Sequence, residues 1–270
     1  MKKLFALMLS LAMAVSLAAC GAKPLTAEEV YTKAEEKSAA MEKVDADMTI
    51  DMTMELAAEG ETQTIDMTVG ASMRGENVGK EGMRFEMPMS VSMPMLGMSM
   101  NVNSYYADGY YMMDMMGTKI KTPMDLDRAI EQIQSSGMAE LGSVDLLKDL
   151  AMTEVESEDK KKQYQLTYTM DPEALGGFYD EYLGSMGLGD ESQITWGDIA
   201  GTLLVDKEFN IVNQTMTADF SMTVEGETVS CSMVMDAVYK TIGEDFALNI
   251  PDASEYEEVD ASVMGVEDAA

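Results

Sequence analysis

An alternation of apolar and polar residues with a period of two runs through most of this sequence. The first stretch places threonine and acidic residues between Met48, Ile50, Met52, Met54 and Leu56. Because successive side chains of a β-strand point to opposite faces, this spacing puts every apolar side chain of the stretch on one face of a long strand. The sequence therefore predicts long β-strands with one apolar and one polar face.

The same alternation recurs along the chain, in residues 65–73, 83–95, 216–224 and 229–239. Residues 96–102 continue it on the other parity, which indicates a turn near Gly97. Asp108-Gly109 is a strong hairpin signal, and Glu59-Gly60 and Glu225-Gly226 mark further turns. The tyrosines on either side of Asp108-Gly109 pair across a hairpin or line the rim of a cavity. Strands joined by such short turns form an antiparallel sheet.

Three segments carry helix signals instead. Thr26 and Glu29 form a capping box that opens a helix to about Lys43. Thr122-Pro123 predicts a second helix start and Asp171-Pro172 a third. The predicted fold is α+β: one long, curved antiparallel sheet with amphipathic helices packed on its concave, apolar face.

The N-terminus predicts export and lipid attachment. Lys2 and Lys3 precede an apolar run, residues 4–17, that is too short to span a membrane. Residues 17–21, Leu-Ala-Ala-Cys-Gly, resemble the lipobox of bacterial lipoproteins, in which the cysteine accepts the lipid. We expect residues 1–19 to be the signal peptide and residues 20–25 a lipidated N-terminus and short tether at Cys20. A single domain over residues 26–258 and an acidic, disordered tail over residues 259–270 would follow.

Composition excludes several functions. A formal net charge of −31 would repel phosphate backbones, so we expect no nucleic-acid partner. The chain contains no histidine, nucleophile elbow, phosphate loop or dinucleotide motif, and we expect no enzyme activity, no cofactor and no conventional metal site. Cys231 is interpreted as a buried apolar residue. The basic residues Lys119, Lys121 and Arg128 are interpreted as solvated charges.

Several features together resemble the LolA/LppX/LprG-like lipoproteins, in particular uncharacterised Gram-positive members. These features are the lipobox, the helix directly after it, the long hairpins, residues 105–121 before an inserted helix, and the closing Asn249-Ile-Pro251. The resemblance implies a half-open β-barrel whose concave face, covered by helices, holds acyl chains. Two departures are the high methionine content and the lack of an arginine or lysine cluster placed to hold a lipid phosphate.

The 30 methionines allow three interpretations. They fill a packed core in place of leucine and valine, or they line a deformable cavity for a lipid or other hydrophobic ligand, or their thioethers bind copper(I) or silver. The predicted cavity-lining residues are Met52, Met54, Met67, Met87, Met89, Met98, Met100, Phe220, Met222, Met233 and Met235.

The function expected from the sequence is that of a monomeric lipoprotein, anchored through Cys20 on the outer face of a Gram-positive cell membrane, that binds a hydrophobic ligand. A structural or protein-binding lipoprotein with a filled core is the alternative, and thioether metal binding is the third.

Overall fold

The computed structural model describes residues 24–58, 61–135, 144–170, 193–224, 227–240 and 245–261. Several predicted features lie outside these residues: the signal peptide, Cys20, the two Glu-Gly turns, the helix predicted to begin at Asp171, and the tail beyond residue 261.

Within the described residues the chain forms two α-helices and twelve strands. The helices are α1 (Ala27–Ala39) and α2 (Leu126–Ser135). The strands are β1 (Lys43–Ala58), β2 (Glu61–Glu76), β3 (Arg84–Met93), β4 (Met98–Ala107), β5 (Tyr110–Met115), β6 (Thr118–Pro123), β7 (Leu147–Glu156), β8 (Lys162–Met170), β9 (Gln193–Asp206), β10 (Ile211–Val224), β11 (Glu227–Tyr239) and β12 (Glu257–Glu258). Short 3-10 turns are formed by Pro94–Leu96, Val144–Leu146 and Ala253–Glu255.

All twelve strands belong to one open sheet, in the order β12-β6-β5-β4-β3-β2-β1-β11-β10-β9-β8-β7. Every pairing is antiparallel except that between β12 and β6. Most neighbours are consecutive hairpin strands, and β1 and β11 close the gap between the first and last long hairpins. The predicted α+β architecture with a long antiparallel sheet is confirmed.

The register separates the two faces as the alternation predicts. Met52 lies opposite Met67 of β2 on one side and Met233 of β11 on the other. The neighbouring Asp51 lies opposite Thr68 and points the other way. We call the face that carries Met52 the apolar face and the face that carries Asp51 the polar face.

Helix α1 packs on the apolar face over β8 to β10. Its capping box is present: the Glu29 amide donates to Thr26 Oγ1 (3.1 Å) and the Thr26 amide to Glu29 Oε2 (2.8 Å). The helix ends at Ala39, earlier than predicted, because residues from Lys43 onward pair with β2. Its buried residues, Val30, Tyr31 and Ala34, close one core cluster with Leu166, Tyr168, Leu203, Val205 and Ile211.

Helix α2 packs on the apolar face over β2 to β5. The predicted start at Thr122-Pro123 is wrong, because Pro123 pairs with Tyr110 and so extends β6. The helix begins at Leu126 instead, where the side chain of Asp125 accepts a hydrogen bond from the Arg128 amide (3.0 Å). Its buried residue Ala129 closes a second cluster with Met73, Met83, Phe85, Tyr106, Tyr111 and Met124.

The tyrosine hairpin supports this second cluster. Tyr106 and Tyr111 lie opposite each other on the apolar face and both contact Phe85, with ring centroids 5.9 and 6.5 Å away. The Tyr111 hydroxyl donates to Ser104 Oγ (3.0 Å). Of the two interpretations, cross-strand aromatic packing describes this pair.

The C-terminal segment, residues 245–261, crosses the polar face over β4 to β6. Tyr256 is buried there against Ala107 and Met112. Lys119 pairs with Glu255 (2.7 Å) and Lys121 donates to the Ala253 carbonyl (2.9 Å). The two lysines, interpreted as solvated charges, thus also have partners: Lys119 in a partly exposed ion pair and Lys121 in a partly buried hydrogen bond, both to this segment.

A glycine in β9 offers a test of the packing under α1. A Cβ added at Gly201 would lie 2.1 Å from Cζ of Tyr168, whose ring meets the Tyr31 ring edge-on at 6.4 Å. We expect Gly201→Ala to lower the free energy of unfolding by about 1–3 kcal/mol, because the buried ring has to move. Urea unfolding measures the change.

The matched control is Gly70→Ala in β2, where the nearest atom to the new Cβ is the side-chain Oγ of Ser90 at 3.1 Å. We expect this substitution to cost less, since an exposed serine side chain can rotate away. Equal losses at the two glycines would contradict the packing described for α1.

Candidate functional site

The predicted cavity-lining residues all lie on the apolar face. In the register, Met54 and Phe220 both lie opposite Cys231, and Met235 lies opposite Met216. On the other side of β1, Met89 lies opposite both Ala71 and Val102. The sheet therefore brings the eleven side chains onto one surface, although they come from six different strands.

None of the eleven side chains is fully buried. Nine are half-buried, while Met98 and Met100 are 57% and 38% exposed. A packed core would exclude water from such residues. Among the described residues, these side chains therefore form a partly exposed surface, while the filled core stays an alternative.

The closed clusters occupy a different part of the same face. They lie under α1 and α2, at the end of the sheet where β1 begins. Met87 packs against the cluster under α2, and Met89 and Met235 against a small cluster around Met48. Of the remaining eight, Met98 and Met100 are exposed, and the other six are half-buried and belong to no buried cluster of the described residues. We call these six the open Met surface: Met52, Met54, Met67, Phe220, Met222 and Met233.

The cluster under α1 has a different composition from the open Met surface. Its buried members are aliphatic and aromatic, and none is methionine. Branched and aromatic side chains have few rotamers and define a fixed packing, whereas the methionine side chain is unbranched and adapts to irregular shapes. The open Met surface is thus built from the more deformable side chain.

Trp196 adjoins the open Met surface and was not predicted to do so. It lies opposite Phe220 with ring centroids 4.9 Å apart, next to a bulge between β9 and β10. The sequence predicts a strand only from Gly201, whereas β9 begins at Gln193. The signal for its position is the alternation Ile194-Thr195-Trp196, which contains the single tryptophan of the chain.

Cys231 lies at the centre of this region. Its side chain is buried at 5% exposure and forms no disulfide, and burial raises the pKa of its thiol above the usual value. A thiol with a raised pKa is a weak nucleophile near neutral pH. The prediction of a buried, apolar cysteine is confirmed.

The polar face carries the carboxylates in hydrogen-bonded pairs. Thr53 donates to Asp66 (2.9 Å), Thr68 to Asp51 (2.7 Å) and Ser72 to Asp47 (2.5 Å). Among the described residues, no group of three or more histidine, cysteine or acidic side chains could hold a metal ion. These carboxylates accept hydrogen bonds across neighbouring strands and so link the strands to each other.

Two open depressions occur on the polar face. One, of about 470 Å³, lies beside Thr53, Ser230 and Asp219, and the other, of about 630 Å³, lies beside Ser72, Gly70 and Asn101. Residues with hydroxyl and carboxylate groups line both of them, and Trp196, Phe220 and Cys231 also line the first. The second depression, lined mainly by polar groups, suits water or a polar ligand.

No helix in the described part of the chain is long and apolar enough to cross a bilayer.

Sequence comparison places the chain in a family. The sequence model of DUF6612, a family of unknown function, matches residues 26–255. The chain belongs to this family. No curated protein matches the sequence.

The fold is similar to several solved structures. LprF from Mycobacterium bovis is 11% identical, with 83% of this chain and 96% of that chain covered and a TM-score of 0.43. The lipoprotein LppX from Mycobacterium tuberculosis is 6% identical, with 83% of this chain and 98% of that chain covered and a TM-score of 0.37. A LolA superfamily protein from Nitrosomonas europaea is 10% identical, with 81% of this chain and 96% of that chain covered and a TM-score of 0.24. LppX and LolA are also named in the LolA/LppX/LprG-like group that the sequence resembles. The TM-scores lie below 0.5, so the likeness carries no conclusion about ligand or activity.

On the polar face, the carboxyl group of Asp47 pairs with Lys240 and has a pKa below its usual value. Burial raises the pKa of the Asp47 carboxyl, but the hydrogen bonds from Lys240 and Ser72 outweigh it, so the pKa lies below its usual value. A lowered carboxyl pKa adds stability above the unfolded-state pKa, and this stability is lost as pH falls through the folded-state pKa.

We expect Lys240→Gln to raise the pKa of Asp47 and to lower stability near neutral pH by less than about 1 kcal/mol, because both side chains are partly exposed. The difference from the parent chain should vanish at acidic pH, where Asp47 is protonated. Urea unfolding across pH measures it. A difference that stays constant into acid would contradict the assignment.

Proposed function

We propose that this protein is an extracytoplasmic lipoprotein that binds a lipid or another hydrophobic ligand on the open Met surface. The observation that carries the proposal is that the six large apolar side chains of the open Met surface share one face of the sheet and none of them is fully buried. An extended, partly exposed apolar surface beside closed core clusters is typical of a ligand-binding surface.

The binding mechanism is partition from water. In this proposal the apolar face is the concave face of the curved sheet, and acyl chains lie along it between the strands and the helices. Each methylene group that leaves water contributes ~0.8 kcal/mol. Methionine side chains adjust to chains of different length and unsaturation, so selectivity would come from the shape and length of the surface.

The proposed role is binding without catalysis, by a monomer. The chain offers no histidine as a general base, and the polar-face carboxylates described above are hydrogen-bonded to serine, threonine or lysine side chains. The open Met surface itself carries only thioether and aromatic groups. Such a surface has no acid, base or nucleophile to offer a bound ligand.

Membrane attachment in this proposal is through Cys20. Thr26 already caps α1, so only the short stretch from Cys20 to Leu25 separates the anchor from the folded domain. Two acyl chains are what stable anchoring requires, and lipoprotein processing supplies two or three at this cysteine. The domain would sit close to the outer face of a Gram-positive cell membrane, within reach of lipid.

Ligand binding is tested by native mass spectrometry of the protein after its extraction from the membrane. We expect the parent chain to retain added mass that matches lipid, and Met233→Gln to lose most of it, because the amide group stays hydrated on the open Met surface. Trp196 provides a second readout, since its ring lies beside Phe220 and its emission should shift when lipid binds.

The matched control is Ser232→Gln, one position away on the polar face, where the side chain is exposed. This variant should keep the bound lipid. A parent chain without added mass under gentle conditions, or equal losses in the two variants, would argue against the open Met surface as the binding site.

Lipid attachment is tested separately with Cys20→Ser in the full-length chain. We expect the parent chain to incorporate an alkyne-tagged fatty acid and to lose residues 1–19, and the variant to do neither, because serine lacks the thiol that accepts the lipid. Click labelling and intact mass measure both events. Labelling of the variant at the parent level would refute attachment at Cys20.

A further inference from the structure

The exposed apolar side chains of the described residues are concentrated in one place. Of the eight large ones, six occur at the β3–β4 hairpin and the β5–β6 turn. We call these six the methionine tip: Met95 (59% exposed), Leu96 (53%), Met98 (57%), Met100 (38%), Met115 (40%) and Met116 (83%).

The register places the two turns at the same end of the sheet, with the β3–β4 hairpin extending past the β5–β6 turn. Strand β4 pairs with β3 through Met93 and Met98, and with β5 through Val102 and Met115. Both turns therefore leave the sheet at the same end of their strands. A Cβ built on Gly97 or on Gly117 would meet no atom within 4 Å, so space is open around both glycines.

The β5–β6 turn is built with an unfavourable residue. Met116 and Gly117 have φ values of 53° and 86°, the left-handed conformation that two-residue hairpins normally give to Asn-Gly or Asp-Gly. The turn at the other end of β5 follows this preference with Asp108 and Gly109, at 53° and 79°. A bulky apolar residue in this conformation costs free energy and points to a use for its side chain in solvent.

Charge sets the β3–β4 hairpin of the tip apart. The chain has 49 acidic residues, yet no charged residue occurs between Glu86 and Asp108. At the β5–β6 turn, Asp114 precedes Met115, and its carboxylate accepts a hydrogen bond from the Gly117 amide (3.1 Å). An acidic surface is repelled by anionic headgroups and stays in water, whereas an uncharged apolar hairpin can enter the lipid interface without the cost of burying a charge. The tip is the described surface that fits a bilayer.

We propose that the methionine tip inserts into the boundary between headgroups and acyl chains of a lipid bilayer. Insertion needs no bound ligand and so goes beyond the proposed function. Met98, Met100 and Met115 lie on the apolar face, on the same side of the sheet as the open Met surface. The inserted tip would therefore join the bilayer to the surface that holds the ligand, a consequence that rests on the proposed function.

The test measures depth in the membrane, because the anchor at Cys20 would keep every variant membrane-bound. The lipidated protein is reconstituted in phosphatidylcholine vesicles with brominated acyl chains, in a Trp196→Phe background that removes the single native tryptophan. Leu96→Trp reports on the tip. Lys80→Trp is the matched control, in the exposed β2–β3 loop at the opposite end of β3.

We expect bromolipid to quench the tryptophan at position 96 and shift its emission to shorter wavelength, with neither effect at position 80. Met116→Asn should reduce the quenching at position 96 while leaving the unfolding midpoint unchanged or higher, since asparagine favours this turn. Met116→Leu, which keeps an apolar side chain, should preserve the quenching.

Equal quenching at positions 96 and 80 would overturn the proposal. So would a loss with Met116→Leu as large as with Met116→Asn, which would assign the tip to a thioether-specific role such as copper(I) binding. Ligand retention is read separately by native mass spectrometry, so a chain that holds lipid without inserting its tip is distinguished from one that inserts without holding lipid.

Discussion

The structure depends on the pairing register of the central hairpins, which keeps the apolar side chains on one face of the sheet and the polar side chains on the other along their whole length. Strands β1 and β2 are each 16 residues long and pair without a bulge from Lys43–Glu76 to Ala58–Glu61. A slip of one residue would move every methionine of one strand to the polar side and every aspartate to the apolar side. Because burial under the helices penalises that exchange, the alternation itself selects the pairing, and the positions of α1, α2 and the C-terminal segment follow from it.

The same register lets a strongly acidic chain form a continuous sheet. Like charges directly opposite each other destabilise a strand pair, while hydroxyl–carboxylate and oppositely charged pairs stabilise it. On the polar face of β1 and β2, Asp45 lies opposite Arg74, Asp47 opposite Ser72 and Asp51 opposite Thr68. On β10 and β11, Asp236 accepts hydrogen bonds from Asn213 and Thr215, both at 2.9 Å. Carboxylates are thus distributed so that none of these faces another across the strand.

The sequence predicts local features well and global order poorly. Face assignment, the Thr26 cap and the Asp108-Gly109 hairpin depend on residues close in sequence, and the structure has all three. The pairing of β1 with β11 could not be predicted, because several strands carry the same alternation and would match β1 equally well. The docking of residues 245–261 was missed for a related reason: Lys119 and Lys121 look solvated until their partners Glu255 and Ala253 are brought across from the far end of the chain. Period-two spacing also cannot separate a packed core from an open surface, since both need the same apolar face.

The distribution of methionine along the apolar face helps to separate a packed core from an open surface. If methionine merely replaced leucine and valine throughout, it would be as common under α1 as elsewhere, yet the buried residues there are valine, tyrosine, alanine, leucine and isoleucine. The cluster under α2 mixes three methionines with aromatic rings. On the partly exposed apolar face, Met54 lies opposite Ile65 and Met222 opposite Val229, so methionine there alternates with branched residues. Methionine is a better helix former than strand former, so its place in these strands is not explained by propensity. Its absence among the buried residues under α1 is expected if the sheet needs fixed packing there and a deformable surface where a flexible hydrophobic ligand has to fit.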